Sequence, residues 1–387
     1  RKAGTPGSEK AAAFIASEFQ KAGLQPLSGT GFLQTFYMLR PKPVQASGTV
    51  DGVAIPSQNL ISLTFQPSLQ VTQASGYTVE HIKKEDDLFK KVRALMGTNE
   101  NKIVFVDTAF AAQFPRFARF QQPAIEGANK PAESTNLIFV LGEAMPKTFS
   151  FAITQDIERI PFSNVVGVLP GKSKKEEQVV FSAHYDHLGI GRPQAGDSIY
   201  NGANDDAAGT TAVILLANHF KKRGNNERTL VFAAFTAEEI GGFGSQYFSQ
   251  QLTPEKVTAM FNIEMIGTES KWGRNSAYIT GFDKTDMGAI LQKNLKGSPF
   301  VFHPDPYPEQ QLFYRSDNAT LARLGVAAHT ISTSKMDSEA NYHQASDEVK
   351  TLDLANMTEI IKAIAQSAIS IISGIDTPTR VKRESLR

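Results

Sequence analysis

The pattern of hydrophobic and polar positions predicts one helix and one strand at the start of the chain. Residues 8–24 place apolar side chains near helical spacing, which indicates an amphipathic helix. The run Phe32–Leu39 predicts a strand. We expect Pro41 and Pro43 to interrupt this strand, because proline lacks the N–H group that a sheet ladder needs.

The pattern changes between residues 45 and 147, where short apolar runs alternate with irregular stretches. One stretch, Asp86–Met96, has helical spacing, and residues 110–131 form an irregular segment rich in Phe, Arg and Pro. We interpret residues 45–147 as a separate β-rich insert. Its predicted strands are Leu60–Phe65, Tyr77–Ile82, Lys102–Asp107 and Asn136–Leu141.

From Phe149 onward, apolar runs without polar alternation are separated by helical patterns. This order is typical of the α/β class, with a mainly parallel mixed sheet covered by helices on both faces. The predicted strands are Gln178–Ala183, Thr229–Thr236, Thr258–Met265 and Val326–Ile331. The predicted helices are Ala207–Arg223, Phe243–Gln251, Asp286–Leu295, Asp317–Leu324 and Asn356–Ser373. The sequence therefore predicts an α/β domain made of residues 1–44 and 148–376, the insert 45–147, and a loose polar tail over 377–387.

Composition narrows the function classes. Forty basic and thirty-nine acidic side chains nearly cancel, so charge gives no reason to expect nucleic acid or an anionic membrane as a partner. No apolar run is long enough to predict a membrane span. Because the chain has no cysteine, any metal site must use histidine and carboxylate ligands. The chain starts at Arg1 without Met or a signal-like apolar segment, so we expect that a leader was removed or the terminus trimmed, and that the protein is secreted or periplasmic.

Ligand-type side chains follow several predicted strands, and the carboxyl ends of parallel strands meet at one edge of a sheet. Two metal ions about 3.5 to 4 Å apart need few protein ligands and a carboxylate that bridges them. Glu238, which precedes one candidate ligand, is then free to act as a general base toward a water molecule. The candidate ligands are His184, Asp205, Glu239, Glu264 and His343.

Six ordered motifs resemble the zinc-dependent aminopeptidases of peptidase family M28. They read AHYDHLG, GANDDAAGTTAVILLA, FTAEEIGGFGS, FNIEMIG, YRSDNATLARLGV and NYHQASDE. The resemblance implies two zinc ions per chain, one held by His184 and Glu264, the other by Glu239 and His343, with Asp205 as the bridge. It also implies that Glu238 is the general base. The insert more loosely resembles the protease-associated domain that such peptidases often carry.

Further residues take roles from the same resemblance. Asp186 is expected to orient the imidazole of His184, and Asp347 that of His343. His187 is interpreted as structural and Asp206 as a helix cap. Tyr314 lies in the motif with Arg315, Ser316 and Asp317, which either reaches the tetrahedral intermediate or forms a packed loop.

The resemblance has one departure and leaves alternatives open. The family usually has Asp where this chain has Glu264, whose side chain is one methylene longer and is expected to alter the geometry or affinity of that metal. The expected activity is hydrolysis of the N-terminal peptide bond of peptides by metal-activated water. The alternatives are a carboxypeptidase, a dipeptidase, a single-zinc glutaminyl cyclase, and a non-catalytic binding ectodomain. The oligomeric state stays open.

Overall fold

The structure, a computed structural model, describes residues 1–121, 123–127, 135–142 and 146–386. It divides into two compact units, one made of Arg1–Thr35 with Phe162–Arg387, the other of Phe36–Pro161. The predicted insert 45–147 falls within the second unit, and its borders stay a prediction. Parts of the predicted irregular segment 110–131, of the insert and of the tail lie outside the described residues.

The first unit is built on a mainly parallel sheet. The strand Lys174–His184 lies at its centre, parallel to Arg228–Phe235 on one side and to Val257–Ile263 on the other. Val257–Ile263 in turn pairs in parallel with Ala327–Ser332. Antiparallel strands complete the sheet beyond this parallel centre, so the predicted mixed α/β fold is confirmed. These strands are Gln25–Pro26, Phe149–Leu169 and Ser276–Ile279, and Val301–Pro304 pairs in parallel with the last of them.

Both faces of this sheet are buried, as the uninterrupted apolar runs predict. Val179 and Phe181 belong to one hydrophobic cluster and Val180 to another, because successive side chains of a strand point to opposite faces. The first cluster includes Phe19 of the opening helix, and the second includes Phe248. The helices of this unit are Pro6–Lys21, Gly209–Arg223, Phe243–Gln250, Met287–Asn294, Asn318–Arg323, Leu354–Ser367 and Ile369–Ile372. None of the helices among the described residues has the length and apolar character that crossing a bilayer requires.

The second unit contains the predicted short strands and one helix. Its four-stranded sheet has the order Leu60–Leu63, Leu137–Leu141, Lys102–Val106 and Thr78–Ile82. The helix Leu88–Met96 starts at Asp87, whose carboxylate accepts the Lys90 N–H, as expected of an N-cap. Shorter strands lie at Val53–Ala54, Ser68–Thr72 and Ala124–Ile125.

The predicted interruption at Pro41 and Pro43 is wrong, because the strand runs from Leu33 to Val50. Met38 and Leu39 pair with the strand Ala124–Ile125, and Thr49 and Val50 pair with Val53–Ala54. The two prolines fall between these two paired segments, and proline is tolerated in a strand where its nitrogen is not needed as a donor.

The expectation of a loose C-terminal tail is also wrong for residues 377–386. Val381 is 3% exposed, and its N–H donates to the Gly325 carbonyl. The Arg380 guanidinium donates to the carbonyls of Pro254 and Val257. Two separated apolar side chains, Val381 and Leu386, inside a polar segment are too weak a pattern to predict this packing.

A small hairpin in the first unit was not predicted. Its strands are Gly189–Gln194 and Asp197–Tyr200, and they pair with each other only. The hairpin lies between the first two motifs in the sequence, and its Gln194 contacts the loop that carries His343.

Candidate active site

The carboxyl ends of the central strands carry the candidate side chains. His184 is the last residue of its strand, and Glu264 directly follows the strand Val257–Ile263. The hydrogen bonds between neighbouring strands continue past the strand ends. The Tyr185 N–H donates to the Phe235 carbonyl, and the Glu264 N–H donates to the Ile331 carbonyl. The sheet thereby holds the backbone of these side chains in register.

Asp205 lies at the centre of the site, with one oxygen toward each of two histidines. Its Oδ1 is 3.2 Å from His184 Nε2, and its Oδ2 is 3.3 Å from His343 Nε2. His343 Nε2 is also 3.1 Å from Glu239 Oε2. Ligand atoms around a tetrahedral zinc with bonds of about 2.0 to 2.1 Å lie about 3.3 Å apart. These three distances are close to the spacing of ligand atoms around a bound zinc ion.

Glu264 completes the group around His184. His184, Asp205 and Glu264 each offer one ligand atom, and these atoms lie within 4.8 Å of one another. Both ring nitrogens of His184 and Oε2 of Glu264 are buried without a hydrogen-bond partner among the described residues. Buried polar atoms are rarely left unpaired in proteins, so this donor set fits a bound cation. Glu264 is one methylene longer than the Asp that is usual at this position in the family, and its carboxylate still lies beside His184 and Asp205.

His187 contributes a contact that the sequence interpretation missed. His187, Asp205 and Glu239 form a second group of possible ligands within the same distance limit. His187 Nδ1, however, lies 2.6 Å from Glu239 Oε1, which is a hydrogen-bond distance and too short for two ligands of one zinc. It is 3.9 Å from Asp205 Oδ2. We therefore interpret His187 as the residue that orients Glu239; its spacing of three residues after His184 was the available signal.

The Asp186 carboxylate forms its hydrogen bond with a different group from the predicted one, the imidazole of His184. Its Oδ1 is 3.7 Å from His184 Nδ1, beyond hydrogen-bond distance, but accepts the Glu238 N–H at 3.1 Å. Asp186 is fully buried. Its firmest contact thus positions the backbone of Glu238, and it faces the imidazole only at longer range.

Asp347 also differs from its expected role, since its carboxylate binds the backbone at Asp205 rather than the ring of His343. Its two oxygens accept the N–H groups of Asn204 at 2.8 Å and Asp205 at 3.0 Å. Gln194 fixes the same loop from the other side, because it accepts the Ala345 N–H at 2.8 Å. One short segment therefore carries His343 and holds the chain beside Asp205.

Replacing Asp347 with Asn should weaken zinc binding roughly 10- to 100-fold, the range observed when supporting partners of metal ligands are removed. The reason is that an amide oxygen accepts only one of the two N–H groups, while its NH₂ opposes the other. Zinc affinity is measured by competition with a chelator, and the exposed Asp283→Asn variant is the matched control. Unchanged zinc affinity in Asp347→Asn would contradict this positioning role.

Several buried or half-buried carboxyl groups surround His184. Asp206 accepts the N–H groups of Gly209 and Met265 at 3.0 Å each, which confirms its capping contact at the helix and adds one to the neighbouring strand end. Burial raises the pKa of Asp206 and of Glu238 well above their ordinary values, and the nearby Glu264 carboxylate adds to both effects. Burial also raises the pKa of Glu264 to about 7 and that of Asp317 to about 6. So many acids in one buried place call for compensating positive charge.

The metal-free protein should lose stability as the pH rises from 5 to 7.5. A carboxyl group whose pKa is raised on folding binds more protons in the folded state, so its stabilising contribution is present below the unfolded pKa of 4.5 and lost as the pH approaches 7. For Glu264 the loss is on the order of 2 kcal/mol over this range. Unfolding midpoints of chelator-treated protein measure it.

Zinc-reloaded protein should show a smaller loss, because bound cations stabilise the ionised carboxylates. The Glu264→Gln variant should flatten the pH dependence of the metal-free protein, and exposed Glu309→Gln should leave it unchanged. The same slope in Glu264→Gln as in the parent chain would contradict the assignment of this effect to Glu264.

The residues of the motif around Arg315 make two kinds of contact, some at the site and some in the hydrophobic core. Ser316 Oγ accepts a hydrogen bond from Asn262 Nδ2 at 2.6 Å. Tyr314 packs at a ring distance of 5.2 Å from Phe313 and against the hydrophobic cluster that covers one sheet face. Tyr342 instead lines the cavity beside Glu264 and stacks on His343 at 3.9 Å. For Tyr314 the packed-loop alternative describes these contacts, whereas Tyr342 contacts the candidate ligand His343 directly.

Comparisons with known proteins place this site in a family. A probable leucine aminopeptidase of Trichophyton verrucosum is 27% identical over 208 residues, which cover 51% of this chain and 54% of that protein. The chain spans about half the length of the curated relatives it matches.

Two experimental structures share the fold. A zinc aminopeptidase from Bacillus subtilis has a TM-score of 0.56 at 17% identity, covering 100% of this chain and 92% of that one. An aminopeptidase from Aneurinibacillus sp. strain AM-1 has a TM-score of 0.54 at 17% identity, covering 100% and 93%. The sequence profile of peptidase family M28 matches residues 164–368, more than half of the chain and all five candidate ligands. The chain belongs to peptidase family M28.

Proposed function

We propose that this protein is a zinc-dependent aminopeptidase that uses two metal ions to hydrolyse the N-terminal peptide bond of peptides. The proposal rests on the position of Asp205. Its two carboxylate oxygens lie 3.2 Å from His184 Nε2 and 3.3 Å from His343 Nε2. A carboxylate in that position is what a pair of metal ions requires. Family membership and relatives named as leucine aminopeptidases support the reaction type.

The proposed ligands divide into two sets that share one bridge. His184 and Glu264 would hold one zinc, Glu239 and His343 would hold the other, and Asp205 would serve both. Three ligand carboxylates leave positive charge on two divalent ions, which suits the adjacent buried acids. When bound, zinc supplies polarisation of the scissile carbonyl and lowers the pKa of a water molecule.

Glu238 is the proposed general base. It takes a proton from the attacking water as the new C–O bond forms, and it delivers that proton to the leaving amine as the C–N bond breaks. Asp186 holds the Glu238 N–H and so fixes the carboxylate's backbone. Burial and the neighbouring Glu264 raise the pKa of Glu238 in the absence of metal, and bound cations would lower it toward the range in which the carboxylate is ionised and accepts a proton.

The test combines metal analysis with a substrate screen. We expect two zinc ions per chain and release of unblocked N-terminal residues that stops with chelator and returns with zinc. Cleavage restricted to N-blocked peptides would identify a different exopeptidase. A zinc-loaded protein that hydrolyses no peptide would contradict the proposal and favour a binding role.

Two further expectations belong to the proposal. The insert 45–147 is proposed as a protease-associated domain, on the basis of its β-rich sequence and position in the chain. The site of action is proposed to be outside the cytoplasm. Subcellular fractionation of the source cells, with the protein detected by antibody, tests the proposed site of action.

A further inference from the structure

A small cavity opens directly beside Glu264. Its volume is about 40 Å³, which holds roughly three water molecules at 10 to 15 Å³ each. Glu264 is one of the proposed zinc ligands, so a substrate group next to the scissile bond can reach this cavity. The space suits a small side chain or terminal group.

Four residues with hydroxyl groups line part of the cavity beside apolar side chains such as Met265 and Leu312; they are Thr280, Ser316, Thr330 and Ser332. The Thr330 hydroxyl donates its proton to Asn318 Oδ1 at 2.8 Å. Thr280 Oγ1 accepts the Thr330 N–H at 3.2 Å, which leaves its proton to donate elsewhere. A ligand oxygen in this cavity could accept the proton of the Thr280 hydroxyl, which an apolar group could not.

Arg315 supplies a positive charge at the same cavity. Its Nη1 donates to Gln310 Oε1 at 3.1 Å, and no carboxylate of the described residues lies within 4.0 Å of its guanidinium. Other arginines of the chain, such as Arg228 and Arg274, do have carboxylate partners. A guanidinium presents paired N–H donors that match a carboxylate.

We propose that this cavity binds a carboxylate of the substrate and that Arg315 is its specificity-determining residue. The carboxylate is either the side chain of an N-terminal Asp or Glu, or the free C-terminus of a very short peptide. The inference rests on the proposed peptidase function and adds the substrate class.

The experiment compares two matched substrate pairs on the zinc-loaded full chain. Aspartyl and asparaginyl 4-nitroanilides differ only in the side-chain carboxylate, and Leu-Gly and its amide differ only in the terminal one. We expect kcat/KM to favour the carboxylate in one pair by roughly tenfold, the size of a charged hydrogen bond. The pair that shows the preference identifies the source of the carboxylate.

Arg315→Gln should abolish that preference, so that kcat/KM becomes equal for the two members of the pair. Arg323→Gln removes the same charge from an exposed helix position outside the cavity and should keep the preference. Binding of free aspartate against asparagine, followed by calorimetry, gives a second measurement without turnover for the side-chain arm.

The outcomes separate this inference from the proposed function. Hydrolysis of both pairs without preference, or a preference that survives in Arg315→Gln, overturns the inference and leaves the aminopeptidase intact. A zinc-loaded chain that hydrolyses none of the four substrates, nor leucyl 4-nitroanilide, overturns both.

Discussion

Replacing Glu238 with Gln should lower kcat by about 10² to 10⁴-fold, the usual contribution of a general acid–base group, while zinc stays bound. The amide has nearly the same shape as the carboxylate but does not accept the proton of the attacking water. Glu238 is not among the proposed ligands, and its backbone contact with Asp186 does not depend on the side chain. Steady-state kinetics and metal analysis on the same preparation measure the two effects separately.

A matched control comes from Glu255, an exposed residue of the same unit. Glu255→Gln makes the same chemical change away from the site and should keep both activity and zinc. The base assignment fails if Glu238→Gln turns over at the parent rate. Loss of zinc in Glu238→Gln would instead make Glu238 a ligand.

Asp205→Asn should cause the second large effect, a loss of at least 10²-fold in zinc affinity together with activity, because ligands matter more than the supporting partners that contribute 10- to 100-fold. The change removes the negative charge that faces both His184 and His343. An amide also has only one oxygen to offer where a bridge needs two. Zinc content after dialysis against a weak chelator checks the result.

The distribution of the lost zinc is the sharper test of bridging. If Asp205 serves both ions, both are lost at similar chelator concentrations, whereas His343→Asn should release one ion before the other. Asp156→Asn, an exposed change, is the control and should retain both. Full occupancy of both sites in Asp205→Asn would exclude the bridge.

The sequence was sufficient for the central parallel strands and for the convergence of their ends. Buried parallel strands read as continuous apolar runs, and the run at Val179–Phe181 is of that kind. Since parallel strands place their carboxyl ends at one edge, His184 and Glu264 had to lie near each other once the sheet was predicted. The six motifs supplied the rest of the ligand set, and the family profile confirms the resemblance.

Strand bounds at the prolines and packing of the tail were not predictable in the same way. A proline is compatible with a strand wherever its nitrogen has no partner, and this depends on which neighbour lies beside Pro41 and Pro43. Likewise, Val381 is buried only because a complementary surface happens to lie beside Gly325.

By itself, the sequence determined the fold class and which residue types stand at the strand ends, because periodicity and chain order are local properties. Only the tertiary structure decided what each of those side chains contacts: His187 binds Glu239, Asp347 binds the backbone of Asp205, and Arg315 lines the cavity at Glu264. The reason is that these contacts join residues far apart in the chain or on different loops. Distances of a few tenths of an ångström separate a ligand from a hydrogen-bond partner there, and no pattern along a chain encodes them.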